Sequence, residues 1–164
     1  MIRYMEKTKL IAIKDFQNQG KSTTIWLLLF TLVNDYHAEI VRLYNQNEEK
    51  DIEKLPDTIP ADDDMYDIYA ELRLGKQFII LFSRGDYPDR LVEDVNWALQ
   101  FEPAYIVCAI QMRSINRDIW NTFNSAFPNT RYRRVFFGVE HAEDEKDALT
   151  VKQPTVEAII KYMA

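Results

Sequence analysis

Short apolar runs alternate along the chain with longer stretches of helical periodicity. Residues 9–14 (KLIAIK) are the first apolar run and predict a buried strand. The stretch 21–36 that follows is apolar nearly all round, which predicts a deeply placed helix, and 38–44 predicts a second strand. Such alternation is typical of α/β proteins, so we expect a three-layer sandwich with a mostly parallel central sheet.

The second half of the chain continues this alternation. Residues 67–86 contain two predicted strands joined by a tight turn at Gly75, the one antiparallel hairpin that we expect. The second of these strands, 78–82, is continuously apolar and is therefore expected to be central. Pro154 is expected in the first turn of the last helix. The remaining predicted elements are helices over 88–101, 114–127 and 154–163 and strands over 104–110 and 132–139.

The segment 45–65 interrupts the pattern because it is acidic and contains two prolines. Most of it has neither strand nor helix periodicity, which favours a solvated loop. A metal site at the three consecutive aspartates 62–64 is the alternative, although adjacent carboxylates converge on one ion only in a loop like that of an EF-hand.

Composition limits the classes of protein to which the chain can belong. Its 164 residues, 47% of them hydrophobic, fit one domain over 1–164. A net charge of -6 gives no electrostatic footprint for duplex nucleic acid, although a local basic patch stays open. The longest apolar run, 25–33, is shorter than the roughly 18 residues of a membrane span, and no signal-peptide pattern is present. We expect a soluble cytoplasmic protein without membrane contact, in which Cys108 is a buried core thiol.

Residues 15–22 (DFQNQGKS) match the phosphate-binding pattern G-x-x-x-x-G-K-[ST], except that Asp15 replaces the first glycine. A predicted apolar strand precedes the motif and a predicted helix follows it, which is the context that this motif requires. The stretch 9–36 thus resembles the strand, Walker A loop and helix of a P-loop NTPase. Asp15 adds charge repulsion, although aspartate tolerates left-handed backbone angles better than most residues.

The resemblance implies a role for each residue of the motif. Backbone amides of the loop would surround the phosphates of ATP or GTP, and the positive end of the helix would point at them. Lys21 would reach the β and γ phosphates, Ser22 would hold Mg²⁺, and Thr23 would place a second hydroxyl near the α phosphate. The predicted nucleotide-binding residues are Asn18, Gln19, Gly20, Lys21, Ser22 and Thr23.

A P-loop enzyme also needs a carboxylate near the metal and positive charge near the transferred phosphoryl group. Asp86, four residues beyond the strand 78–82, is the candidate for Mg²⁺, with a helix cap before Pro88 as the alternative role. Arg113 follows the strand 104–110 and is the candidate for stabilising the developing charge. Arg84 and Arg117 are expected on the same rim, since ligands of α/β sheets collect at the carboxyl ends of strands; plain surface positions are the alternative for these arginines.

The whole chain is also similar to small uncharacterised bacterial P-loop ATP-binding proteins, which have a strand hairpin with a glycine turn leading into a segment like Ser83 to Asp86. The implied fold is a P-loop sandwich, and the implied chemistry is phosphoryl transfer or nucleotide hydrolysis with Lys21, Asp86 and Arg113 as catalytic residues. One alternative is a non-catalytic nucleotide-sensing module, favoured by Asp15 and the late Asp86, and another is an interaction protein whose loop binds nothing. The second substrate or protein partner is not identified by the sequence.

Overall fold

The structure is a computed structural model that describes residues 6–15, 21–61, 64–84, 87–111, 119–138 and 148–164. Its strands in these residues are β1 (Lys9–Asp15), β2 (Glu39–Asn45), β3 (Lys50–Ile52), β4 (Ile68–Leu74), β5 (Gln77–Phe82), β6 (Tyr105–Gln111) and β7 (Arg133–Gly138). Its helices are α1 (Lys21–Asn34), α2 (Pro88–Leu99), α3 (Ile119–Ala126) and α4 (Ala148–Met163).

The strands form one mixed sheet in the order β3-β2-β4-β5-β6-β1-β7. Three neighbouring pairs are parallel, β5 with β6, β6 with β1, and β1 with β7, and three are antiparallel. The prediction of a mostly parallel P-loop sandwich with one antiparallel hairpin is therefore wrong. The unpredicted antiparallel pairs are β2 with β3 and β2 with β4. The short connection from β2 to β3 requires the first, because only antiparallel neighbours can be joined by a few residues, and the second follows from the position of β4 between β2 and β5.

Helices cover both faces of the sheet, and alternate strand residues reach opposite faces. Ile11 and Ile13 of β1 belong to a core cluster with α1 and α4, whereas Leu10 and Ala12 belong to a second cluster with α2 and α3. Trp26 of α1 is fully buried, in agreement with the deep placement predicted for this helix. In the described part of the chain, no helix combines the length and apolar character needed to cross a bilayer.

The hairpin of β4 and β5 confirms the predicted turn. Gly75 has a φ of +62°, a left-handed angle that glycine adopts without the cost that a side chain brings. The last four residues of β5, Ile79–Phe82, are fully buried, as predicted for a central strand. Cys108 is buried in β6, and burial raises the pKa of its thiol to about 12, so the prediction of a core thiol is confirmed.

The prediction of a solvated loop over 45–65 is only partly correct. Residues 50–52 form β3 at the edge of the sheet, and Leu55, Ile59 and Met65 pack against the core. These apolar residues are too few and too widely spaced to produce a periodic pattern, and their burial comes from tertiary packing. Asp62 and Asp63 of the alternative metal site lie outside the described residues.

The last helix begins earlier than the sequence suggested. α4 starts at Ala148, so Pro154 lies inside the helix and its predicted place in the first turn is wrong. Proline is favoured in a first turn but disfavoured in an interior, where it removes a backbone hydrogen bond. Residues after Pro154, including Val156 and Ile159, are fully buried against the core shared with α1, and this packing offsets the lost bond.

Candidate functional site

The carboxyl ends of β5, β6, β1 and β7, which pair in parallel, share one edge of the sheet with that of β2, because β2 is antiparallel to β4 and β4 is antiparallel to β5. In order across that edge, β5 ends at Phe82, β6 at Gln111, β1 at Asp15 and β7 at Gly138. Asp15 and Gln111 are register partners in the ladder between β1 and β6. The segments that carry the predicted site residues follow three of these ends, at β1, β6 and β5. All three segments therefore begin at the same edge of the sheet.

The chain leaves two neighbouring strands of this edge on opposite faces. After β1 it passes through α1, which packs on the same face as α4, and returns at β2 on one side. After β6 it passes through α3, which packs on the other face beside α2, and returns at β7 on the other side. Adjacent parallel strands with connections diverging in this way form a crevice at their carboxyl ends. This topological switch point is where open α/β sheets bind ligands.

The structure places the predicted nucleotide-binding residues only in part. Lys21 is the first residue of α1, Ser22 is the second and is half-buried, and Thr23 is 8% exposed. The Thr23 hydroxyl donates a hydrogen bond to the Met65 sulfur at 3.9 Å. The other predicted site residues lie outside the described residues: Asn18, Gln19, Gly20, Asp86 and Arg113.

The segment before β4 covers the first turns of α1. The Trp26 indole N–H donates to the Tyr66 carbonyl oxygen at 3.2 Å, and the two rings meet edge to face with centroids 5.1 Å apart. Met65 contacts Thr23 from the same segment. The sequence did not indicate this cover, because residues 45–65 looked solvated. It fixes the direction of the helix that begins at the carboxyl edge.

A second polar group secures the start of the segment after β5. The Arg84 guanidinium donates two hydrogen bonds to the Asp94 carboxylate, from Nη2 at 2.8 Å and from Nε at 3.1 Å. The Gln46 amide also donates to Asp94, at 3.1 Å. The Ser83 hydroxyl accepts from the Ile68 backbone N–H at 3.0 Å. Arg84 was expected on the rim at the carboxyl ends of the strands, and the structure pairs its guanidinium with the Asp94 carboxylate.

Burial has an electrostatic cost in this group. Burial raises the pKa of the Asp94 carboxyl above its usual value, and the contacts with Arg84 and Gln46 counter that shift only in part. The Gln46 Oε1 atom is buried and has no hydrogen-bond partner among the described residues. Asp94 is one helical turn from both Leu91 and Ala98, which are buried residues of α2. This spacing indicates that Asp94 lies on the buried face of the helix, and the sequence analysis did not use it.

An open groove of about 750 Å³ lies between α2 and α3 on the face that both helices cover. Asp89 and Glu93 line it from α2, and Thr122 and Ser125 line it from α3. The two carboxylates make this groove unfavourable for phosphate groups, since like charges repel. The groove is therefore a poor candidate for the nucleotide phosphates.

The sequence motif and the switch point meet at the carboxyl end of β1. Asp15 closes the strand, residues 16–20 connect it to α1, and the first turn of α1 contains no acidic residue that would repel an anion. Comparison of the chain with models of protein families, with curated proteins and with solved structures gives no match.

Proposed function

We propose that the chain binds a nucleoside triphosphate, ATP or GTP, together with Mg²⁺ at the carboxyl end of β1. The observation that carries this proposal is the coincidence of the G-K-S-T sequence with the topological switch point between β1 and β6. Ligands of open α/β sheets bind at such a point, and the sequence supplies there the residue types that bind phosphate. A cytoplasmic location, as the sequence suggests, would provide these nucleotides.

The beginning of α1 supports phosphate binding in two ways. The first backbone N–H groups of a helix have no partners within the helix, and the helix dipole adds partial positive charge at that end. α1 has 14 residues and starts directly with Lys21 and Ser22. The lysine would contact the terminal phosphates and the serine hydroxyl would bind Mg²⁺. Neighbouring loop amides of Asn18, Gln19 and Gly20 would complete the binding of the phosphates.

Phosphoryl transfer or nucleotide hydrolysis is the chemistry that we propose for this site. β5 is separated from β1 by β6 alone, and its last residue, Phe82, is level with Ala12 of β1 and about 10 Å from it across the sheet. Asp86 in the segment after β5 would bind the metal through water, and Arg113 after β6 would stabilise charge on the transferred group. These residues do not identify the chemical class of the second substrate.

A nucleotide-sensing module without turnover is the second candidate, and Asp15 is the observation that favours it. The residue closes β1 at the edge where the phosphates would bind, beside Gln111 of β6. A carboxylate at that position repels phosphate charge and weakens the stabilisation of a transition state more than binding alone. Measurement of phosphate release from Mg-ATP and Mg-GTP distinguishes the candidates, because only the enzyme releases phosphate at multiple turnovers.

Thermal unfolding with and without nucleotide tests the proposal. A ligand at ~100 times its dissociation constant stabilises by about 2.7 kcal/mol, equivalent to a rise in Tm of about 5 to 10 °C. We expect Lys21→Ala to abolish the rise caused by Mg-ATP or Mg-GTP. Lys76→Ala is the matched control, because Lys76 is an exposed residue of the turn before β5, at the opposite edge of the sheet. No rise in the wild type, or a full rise in Lys21→Ala, refutes nucleotide binding by this loop.

A further inference from the structure

Lys14 of β1 holds its charged group against two aromatic rings. The Nζ atom lies 4.1 Å from the centroid of the Trp120 ring of α3 and 4.7 Å from that of the Phe136 ring of β7. The two rings are themselves in edge contact, with centroids 4.9 Å apart. An ammonium over the face of an aromatic ring is attracted by the ring quadrupole. The rings therefore hold the ammonium in position and do not neutralise its positive charge.

A second cation, Arg134, lies near Lys14. Within the described ranges, no ion pair joins a carboxylate to the Lys14 ammonium. Arg134, on the same face of β7, has its guanidinium carbon 5.5 Å from the Phe136 centroid and donates a hydrogen bond to the Asn124 side-chain oxygen. Its buried Nε atom has no partner in the part of the chain that the structure describes. Two cations thus flank one ring in a protein whose net charge is -6.

Lys14 also occupies a particular place on the edge of the sheet. It is the residue before Asp15 and the register partner of Gly138, the last residue of β7. Leu10 and Ala12, which share its face of β1, pack in the cluster of α2 and α3. The side chain therefore projects from the carboxyl end of β1 on the face opposite α1. A ligand at this end of β1 would meet the beginning of α1 on one side and Lys14 on the other.

We propose that the Lys14 ammonium binds an anionic group, a phosphate or carboxylate, of a ligand that extends from the crevice between β1 and β6 across the carboxyl end of β1 toward β7. The proposal rests on the proposed function, since the ligand would occupy the same end of β1. An ammonium has three N–H donors, and ring faces are weak acceptors in comparison with a charged oxygen. A phosphate or carboxylate oxygen would form a charge-assisted hydrogen bond with it. The anionic group comes either from the nucleotide itself or from the second substrate.

The chain contains a matched control for Lys14 on the same strand. Lys9 lies at the amino end of β1, with its Nζ atom 5.6 Å from the Tyr105 centroid and 5.9 Å from the Tyr162 centroid. Lys14→Met and Lys9→Met each remove a lysine that contacts two rings, so a purely structural role predicts similar losses of Tm and no effect on anion binding from either change. Lys14→Arg keeps the charge and the ring contact, and is expected to restore binding in part.

Titration calorimetry in two arms identifies the source of the anion. Mg-ATP is titrated into the nucleotide-free protein, and inorganic phosphate is titrated into the protein saturated with a non-hydrolysable Mg-ATP analogue, whose terminal phosphate already fills the γ position. We expect Lys14→Met to weaken binding about 10-fold or more in one arm, as for loss of a hydrogen bond to a charged group, and Lys9→Met to leave both arms within about 2-fold. Loss in the first arm assigns the anion to the nucleotide, and loss in the second assigns it to the second substrate. Equal behaviour of the two variants in both arms overturns the proposal.

Trp120 provides an independent spectroscopic readout. An anion that draws the ammonium away from the indole changes the emission of Trp120, and this change is expected to be absent in Trp120→Phe and in Lys14→Met. Inorganic pyrophosphate, titrated without nucleotide, keeps the test separate from the proposed function. If the wild type binds no nucleotide, the proposed function fails, yet pyrophosphate binding that Lys14→Met weakens and Lys9→Met spares still supports the anion site. Pyrophosphate binding that is absent or unaffected by Lys14→Met then overturns it.

Discussion

Replacing Arg84 with methionine removes the positive partner of a carboxylate that the fold has already withdrawn from water. The side chains of Arg84 and Asp94 are 18% and 12% exposed, and two hydrogen bonds join them. Methionine has a similar length and keeps the packing of the arginine stem. The main consequence of Arg84→Met is therefore an Asp94 carboxylate that has lost its counter-charge and retains Gln46 as a donor.

The expected cost follows from the burial of this pair. Removal of one partner from a fully buried ion pair costs about 3 to 5 kcal/mol, and the residual exposure of both side chains lowers our expectation to about 2 to 3 kcal/mol. That corresponds to a fall in Tm of about 5 to 10 °C. The double change Arg84→Met with Asp94→Leu removes both charges and is expected to cost about 1 kcal/mol, mainly because the Gln46 amide loses its acceptor.

The prediction also states in which direction the stability deficit of Arg84→Met changes with pH. Burial already raises the pKa of Asp94 in the native protein, and loss of the Arg84 charge raises that pKa further. A group whose folded pKa exceeds its unfolded pKa contributes stability that is complete below the unfolded pKa, near 3.9, and is lost as the pH rises through the folded pKa. The stability deficit of Arg84→Met relative to the wild type is thus expected to shrink as the pH falls from neutral toward 4.

Urea unfolding followed by tryptophan fluorescence at pH 5 and pH 7.5 provides the measurement. Arg90→Met is the control, because Arg90 is an exposed residue of α2, the helix that contains Asp94. Its replacement is expected to change the free energy of unfolding by less than about 0.5 kcal/mol. A single variant no less stable than the double variant would refute the reasoning. A deficit of Arg84→Met that is the same at both pH values would also refute it, because it would show that Asp94 does not titrate in the expected window.

Two further predictions concern charged residues next to the proposed phosphates. Asp15→Gly is expected to tighten nucleotide binding, more at low salt, and Asp15→Asn to recover most of that gain; weaker binding in both variants, measured by calorimetry, would contradict a repulsive role. Asp86→Asn is expected to weaken Mg²⁺-dependent nucleotide binding more than metal-free binding, and equal loss in titrations with Mg²⁺ and with EDTA would instead indicate the role of a helix cap.

The elements of the fold were largely predictable because burial leaves a local pattern. β1 extends only one residue beyond its predicted end, and α2 lies within the predicted helix 88–101 and buries Leu91, Val95 and Ala98 at helical spacing. The direction of pairing was not predictable in the same way, since periodicity describes one strand at a time and not its neighbour. β2 pairs antiparallel with β4, and nothing in the residues of either strand specifies that partner.

The site was predictable to the extent that its chemistry lies in consecutive residues. The G-K-S-T stretch and its flanking elements are local, so the sequence alone located them. The ring contacts of Lys14 join β1 to α3 and β7, because Lys14 is more than a hundred residues from both Trp120 and Phe136 in the chain. The hydrogen bonds from Arg84 and Gln46 to Asp94 likewise depend on the packing of α2 against the sheet. Contacts of this kind follow from topology and not from sequence spacing.

Asp15 shows how the structure changes the meaning of a departure from a motif. A glycine at the first position of the phosphate-binding pattern is useful where the backbone must turn, yet Asp15 is the last residue of β1 and pairs in regular parallel register with Gln111. Extended backbone in a ladder is accessible to any residue, so the conformational reason for glycine does not apply at this position. The difference between aspartate and glycine that matters at this position is therefore the negative charge. A carboxylate about 6 Å from a phosphate charge is repelled by roughly 1 to 3 kcal/mol, so at the proposed site Asp15 would lower the affinity for nucleotide by about one or two orders of magnitude without abolishing binding.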